Sequence, residues 1–169
     1  MTNQSRESIA FQVPQYDQDH LDEYRAEFNF VDKDKNGFLD RDEFIDYLVK
    51  QGTDKKMAKV TCKIVDVNHD NKISFDEFAE YIHSSIAICE NNDVEAYLRL
   101  VFKSCDKNHN NSLDKKEFKK FMKFMNIPVS FFNASKKFKQ FDTDKSGSIE
   151  FDEIMNMYKF EMDKHSHRK

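Results

Sequence analysis

The 169-residue chain has no tryptophan, only 3 glycines, only 2 prolines and 3 cysteines. Glycine and proline ordinarily supply about 7% and 5% of a sequence, so little turn chemistry remains for a sandwich or barrel. The scarcity predicts a helical protein. It also makes each glycine informative, because so few serve backbone positions that need one. The cysteines (Cys62, Cys89, Cys105) are odd in number, irregularly spaced and form no CxxC. That excludes a disulfide framework and points to a reduced intracellular compartment, cytoplasm or nucleus. The longest apolar stretch, Tyr81 to Cys89, contains His83, Ser84 and Ser85. It falls far short of the roughly 20 residues a membrane span needs. The opening MTNQSRES has no apolar signal core, and Thr2 stands where N-myristoylation requires glycine. Neither HExxH, nor a nucleophile elbow, nor a glycine-rich phosphate loop occurs, so nothing predicts an enzyme.

What the chain does have is phenylalanine, 17 of them, and charge, 34% of all residues. It also has a repeat. Four twelve-residue windows share one pattern: DKDKNGFLDRDE from Asp32, DVNHDNKISFDE from Asp66, DKNHNNSLDKKE from Asp106 and DTDKSGSIEFDE from Asp142. Position 1 is always Asp and position 12 always Glu; positions 3 and 5 carry Asp, Asn or Ser. Position 8 is Leu39, Ile73, Leu113 or Ile149.

The flanks repeat too. Apolar residues at helical spacing precede each window: Tyr24, Phe28, Val31; Cys62, Val65; Leu98, Phe102, Cys105; Ala134, Phe138, Phe141. Others follow it: Phe44, Tyr47, Leu48; Phe78, Tyr81, Ile82; Phe118, Phe121, Met122; Ile154, Met157, Tyr158. Such stripes belong to amphipathic helices. The unit is therefore helix, acidic loop, helix, and the grouping of the repeats predicts two paired units.

Ca²⁺ takes 6–8 oxygens in a flexible geometry. Oxygen side chains at positions 1, 3 and 5 of a short loop wrap around one point. The carbonyl of position 7 adds an oxygen, and the glutamate at 12 closes the shell. Position 6 must turn sharply and is Gly37, Asn71, Asn111 or Gly147, the residue types that tolerate positive φ.

In these loops and flanks the sequence resembles the EF-hand calcium-binding family, in the four-hand layout of calmodulin and troponin C, from about residue 20 to about residue 160. The resemblance implies an all-α fold of four EF-hands in two paired lobes, each with a short antiparallel β contact between its loops through the position-8 residues. The corresponding division is a 1–18 N-terminal extension, a 19–90 N-terminal pair, a 91–163 C-terminal pair and a 164–169 basic tail. Up to four Ca²⁺ ions are implied, with Mg²⁺ as competitor. The ligands carried over are Asp32, Asp34, Asn36, Phe38 (carbonyl), Asp40 and Glu43 for site one, and Asp66, Asn68, Asp70, Lys72 (carbonyl), Ser74 and Glu77 for site two. Site three takes Asp106, Asn108, Asn110, Ser112 (carbonyl), Asp114 and Glu117; site four takes Asp142, Asp144, Ser146, Ser148 (carbonyl), Glu150 and Glu153. Position 9 would act through water.

Sensor EF-hands open on binding to expose a Met-rich groove, whereas buffers barely open. Met122, Met125, Met155, Met157 and Met162 all lie in the second half, which makes the C-terminal lobe the expected groove; ordinary core filling is the plain alternative. The leading expectation is a monomeric cytoplasmic sensor that binds a target protein when loaded with calcium. A buffer is the runner-up, and a constitutively bound regulatory subunit of a calcium-dependent enzyme the third reading. Residues 1–90 carry a net charge of −8 and residues 91–169 a net charge of +4. The lysines of 115–123 and 136–139 make a solvated basic face, with contact to nucleic acid or an anionic membrane as lesser expectations.

Acids at the ligand positions number 4, 3, 3 and 4 across the loops, and the two poorer loops also have Asn at the turn. Sites one and four are therefore expected to bind calcium most tightly. Per-site calcium titration checks this, and equal or reversed affinities would refute it.

Overall fold

The computed structural model describes residues 18–127 and 131–166, with side chains from 20 to 127 and 134 to 160. Residues 1–17 of the N-terminal extension lie outside that range. Among the described residues eight helices follow one another: α1 (Gln18–Val31), α2 (Arg41–Lys50), α3 (Lys55–Val65), α4 (Phe75–Asn91), α5 (Glu95–Cys105), α6 (Lys115–Phe124), α7 (Phe131–Phe141) and α8 (Phe151–Ser166). Each loop joins two of them, as the repeat requires.

The loops meet in pairs. Leu39 and Ile73 form an isolated antiparallel bridge, with amide-to-carbonyl bonds of 2.9 and 2.8 Å in the two directions. In the second half, strands β1 (Ser112–Leu113) and β2 (Ile149–Glu150) pair antiparallel, Leu113 opposite Ile149. All four position-8 side chains are fully buried. The same residues thus tie loop to loop and loop to core.

Helix ends are set by local chemistry. Asp40, Ser74 and Asp114 cap α2, α4 and α6, each in a capping box with the glutamate three residues on, which satisfies amides the first turn leaves orphaned. The third glycine, Gly52, ends α2 at φ 91°, and Thr53 N–H returns to the Leu48 carbonyl at 2.9 Å. Asn126 ends α6 in the same way at φ 52°, with Ile127 N–H on the Met122 carbonyl at 2.9 Å. Both are Schellman stops, where a left-handed residue is needed.

The apolar stripes turn inward. Phe28, Phe44 and Phe78 interlock edge to face at centroid distances of 5.6 and 6.3 Å. Phe118 packs on Phe138 and Phe141 at 5.6 and 5.0 Å. Tyr47 donates to Glu27 at 2.8 Å, and burial together with that carboxylate holds its phenol well above the ordinary value. Cys62 and Cys105 are buried while Cys89 is exposed; burial pushes the Cys105 thiol up to about 12.

Sequence periodicity gave no sign that the two halves share one core. Helix α5 is buried on more than one face: Leu98, Phe102 and Cys105 as expected, and also Leu100, Val101 and Ser104. It packs across the pairs against α3 and α4. Small buried residues of α4, Ser84 and Ala87, allow close approach. Ser104 Oγ donates to the Lys63 carbonyl at 3.1 Å, and Lys103 pairs with Glu80 at 2.6 Å. Only the turn Asn92–Val94 separates α4 from α5, so the chain cannot swing far at that point.

Phe102 is fully buried and meets Phe151 edge to face at 5.6 Å. Replacing it with alanine is expected to cost about 3–5 kcal/mol of unfolding free energy. Phe30→Ala, at an exposed site, should change stability by less than about 0.5 kcal/mol. Urea denaturation followed by circular dichroism reads both.

Candidate metal centres

In each loop, position 1 sits where a helix ends and accepts bonds from the turn that follows. Asp32 accepts from Asn36 N–H at 3.2 Å and Gly37 N–H at 2.9 Å. Asp106 accepts from Asn110 and Asn111 at 3.2 and 2.8 Å. Asp66 and Asp142 accept from the position-6 amides of Asn71 and Gly147 at 3.2 and 3.3 Å. The turn curls back on its own first residue because position 6 is left-handed in all four loops: Gly37 85°, Asn71 65°, Asn111 60°, Gly147 86°. Position 4 is left-handed as well, at Lys35, His69, His109 and Lys145. Residue type gave no warning of that, since none of these is glycine or asparagine.

Positions 3 and 5 brace the turn. Asp34 accepts from Asn36 N–H at 3.1 Å, and Asn36 Oδ1 from Phe38 N–H at 2.8 Å. Asn68, Asp70, Asn108, Asn110, Asp144 and Ser146 make the equivalent short-range bonds in their loops. The carbonyl of Ser148 accepts from Ser146 Oγ at 3.0 Å.

Each position-12 glutamate reaches back across its loop. Glu43 Oε1 accepts from Lys33 N–H at 2.9 Å and Oε2 from Asp40 N–H at 3.0 Å. Glu77, Glu117 and Glu153 do the same with the amides of positions 2 and 9. In loop two, Ser74 Oγ also donates to Glu77 at 2.8 Å. A carboxylate offers about four lone-pair sites, so two backbone bonds fix its place and leave acceptor capacity. Position 9 therefore has a structural part that its reading as a water-bridged ligand missed: in loops one to three its side chain is the N-cap. The S/D-x-x-E spacing was the available signal.

The donor set fits a hard cation. Asp32, Asp66, Asp106, Glu43 and Glu117 are buried carboxylates, and a buried anion is expensive unless something positive faces it. Asp66 Oδ1 and Asp142 Oδ1 are buried with no hydrogen-bond partner. Asp32, Asp34 and Glu43 bring carboxylate oxygens within 4.8 Å of one another, as do Asp142, Asp144 and Glu153. These two clusters fall in loops one and four. In loops two and three position 3 is asparagine, and the carboxylate set is thinner.

Paired helix–loop–helix units with oxygen-rich twelve-residue loops joined at position 8 define a class of calcium-binding proteins. The family model for the EF-hand domain pair matches residues 22–83 and 95–159, and the chain belongs to that EF-hand family, with Ca²⁺ as its cofactor. It is similar to a 16 kDa calcium-binding protein of Schistosoma mansoni, at 31% identity over 76% of this chain and 87% of that one. It is similar to troponin C, isoform 2, of Caenorhabditis elegans, at 26% identity over 82% and 89% of the two chains. A putative calmodulin-like protein 6 of Oryza sativa subsp. japonica matches at 24% identity over 79% and 80%.

Asp114 accepts from Lys116 and Glu117 amides at 2.6 and 2.9 Å. Without calcium, Asp114→Ala is expected to lose about 1 kcal/mol from the lost cap, with a lower urea midpoint as the readout.

Proposed function

We propose that the chain is an intracellular calcium sensor that acts by binding, not catalysis: ions held by the side chains at positions 1, 3, 5 and 12 and the position-7 carbonyl change the helix arrangement, and the changed lobe takes up a target protein. The observation that carries this reading is the double role of position 8. Leu113 and Ile149 belong both to the inter-loop contact and to the core. A glutamate drawn toward an ion moves the first turn of its helix, and that motion passes straight into the packing beneath.

Methionine supports the C-terminal lobe as the responding one. Met122 and Met155 are buried, and Met125 and Met157 pack on the same core half-exposed. Their unbranched, polarizable side chains can repack against varied apolar partners. Among the described residues no helix is long and apolar enough to cross a membrane, in keeping with a cytoplasmic protein.

A buffer is the second reading, favoured by the packing of α5 against α3 and α4, which occupies surface that an opening lobe would have to release. Hydrophobic-dye fluorescence separates the two. A several-fold rise on adding calcium, lost in Glu117→Gln/Glu153→Gln, is expected of the sensor. An unchanged signal alongside normal calcium uptake would establish the buffer instead.

A further inference from the structure

A cavity of about 290 Å³ opens where the two pairs meet, behind loops two and three. Four cationic side chains line it: Arg41 from α2, Lys63 from α3, Lys107 from loop three and Lys120 from α6. The ion pairs Lys33–Asp46, Arg99–Glu95 and Lys103–Glu80 involve none of the four. The lining has a single acid, Asp66, which is buried and accepts from its own loop. Lys120 is held in place, donating to the Ser104 carbonyl and lying 3.4 Å from His69 Nε2. Burial, and then the neighbouring Lys107, press its ammonium below the ordinary lysine range. Arg41, Lys63 and Lys107 are exposed at its mouth and Lys120 is half-buried; solvent screens part of their mutual repulsion, and an anion seated among them would relieve the rest.

We propose that this cleft is a binding site for a small phosphate-bearing anion, shared between the two EF-hand pairs. A guanidinium fork and several ammonium donors suit phosphate oxygens. The volume lies at the lower end of small-ligand sites and is too small for a helix about 10 Å across. Phe124 gives the lining one apolar side chain, which suits an organic phosphate. Free metabolites and lipid headgroups both offer this chemistry.

The cleft is also wired to the metal loops. Asp66 opens loop two and Lys107 is the second residue of loop three. An ion held by loop two would remove the one negative charge in the lining, so anion and calcium should strengthen each other, and by equal factors. This coupling, unlike the cleft, rests on the calcium reading of loop two.

The test uses the full chain, with fructose 1,6-bisphosphate as a soluble probe that chelates calcium weakly, followed by amide NMR at about 150 mM salt to screen diffuse surface charge. Saturable shifts at His69, Lys107 and Lys120 are expected, with Kd raised about tenfold in Lys63→Gln/Lys107→Gln from the loss of two charge-assisted contacts. Lys136→Gln, on an exposed part of α7, should raise it less than about twofold. Shifts that never saturate, or equal weakening by Lys136→Gln, would overturn the site. Flotation with phosphatidylcholine vesicles carrying phosphatidylinositol bisphosphate, competed by the soluble probe, would assign the headgroup as the ligand; saturable soluble binding without flotation would assign a free organic phosphate. Calcium should tighten probe binding several-fold, and Glu77→Gln should abolish that gain. Unchanged probe affinity, with the Asn71 amide still responding to calcium, overturns the coupling; an Asn71 amide silent to calcium overturns the calcium reading of loop two.

Discussion

Mutual repulsion among carboxylates held in short loops is the constraint to which the rest of the molecule answers. Two like charges about 4 Å apart repel by on the order of 1 kcal/mol in water and several times more where solvent is partly excluded. Here the triplets Asp32, Asp34, Glu43 and Asp142, Asp144, Glu153 sit that close, and the position-1 aspartates of loops one to three are buried besides. Backbone amides meet part of the charge. The left-handed turn brings the position-6 amide, and in loops one and three the position-5 amide too, onto position 1, and the amides of positions 2 and 9 hold the glutamate. The acceptor capacity left over suits a hard cation.

That arrangement makes the loops mechanically continuous with the core. Position 12 is the third residue of the following helix as well as a loop acid, while in loops one to three position 9 caps that helix. Position 8, one residue earlier, joins the partner loop and is fully buried. A shift of the glutamate therefore cannot stay local. The glutamate lies in the first turn of its helix, and position 8 links the same loop to the partner loop and to the core below.

Packing of the pairs against each other adds a second level. Helix α5 serves its own hand through Leu98, Phe102 and Cys105, and its other buried residues make it the seam of the molecule. Loops two and three end up on either side of a common cleft lined by four cations and one acid, although the chain as a whole has a net charge of −4.

Loops, helix flanks and loop pairing were legible in the chain itself. Their causes are local: oxygen side chains at alternate positions, a turn-tolerant residue at position 6, a 3.6-residue apolar period and an apolar position 8. Even Phe44, Phe78 and Phe118 could be assigned inward, because each follows its loop at a fixed spacing. The left-handed position 4 was not legible, since lysine and histidine adopt that conformation only when neighbouring bonds impose it. Leu100, Val101 and Ser104 fall outside the periodic stripe, and the partner that Ser104 finds, the Lys63 carbonyl, lies 41 residues away. The sequence alone determined where each loop begins and ends and which residues turn it. Only the tertiary structure decided that four hands share one core, and that Arg41, Lys63, Lys107 and Lys120 face one another, because long-range packing leaves no local period to read.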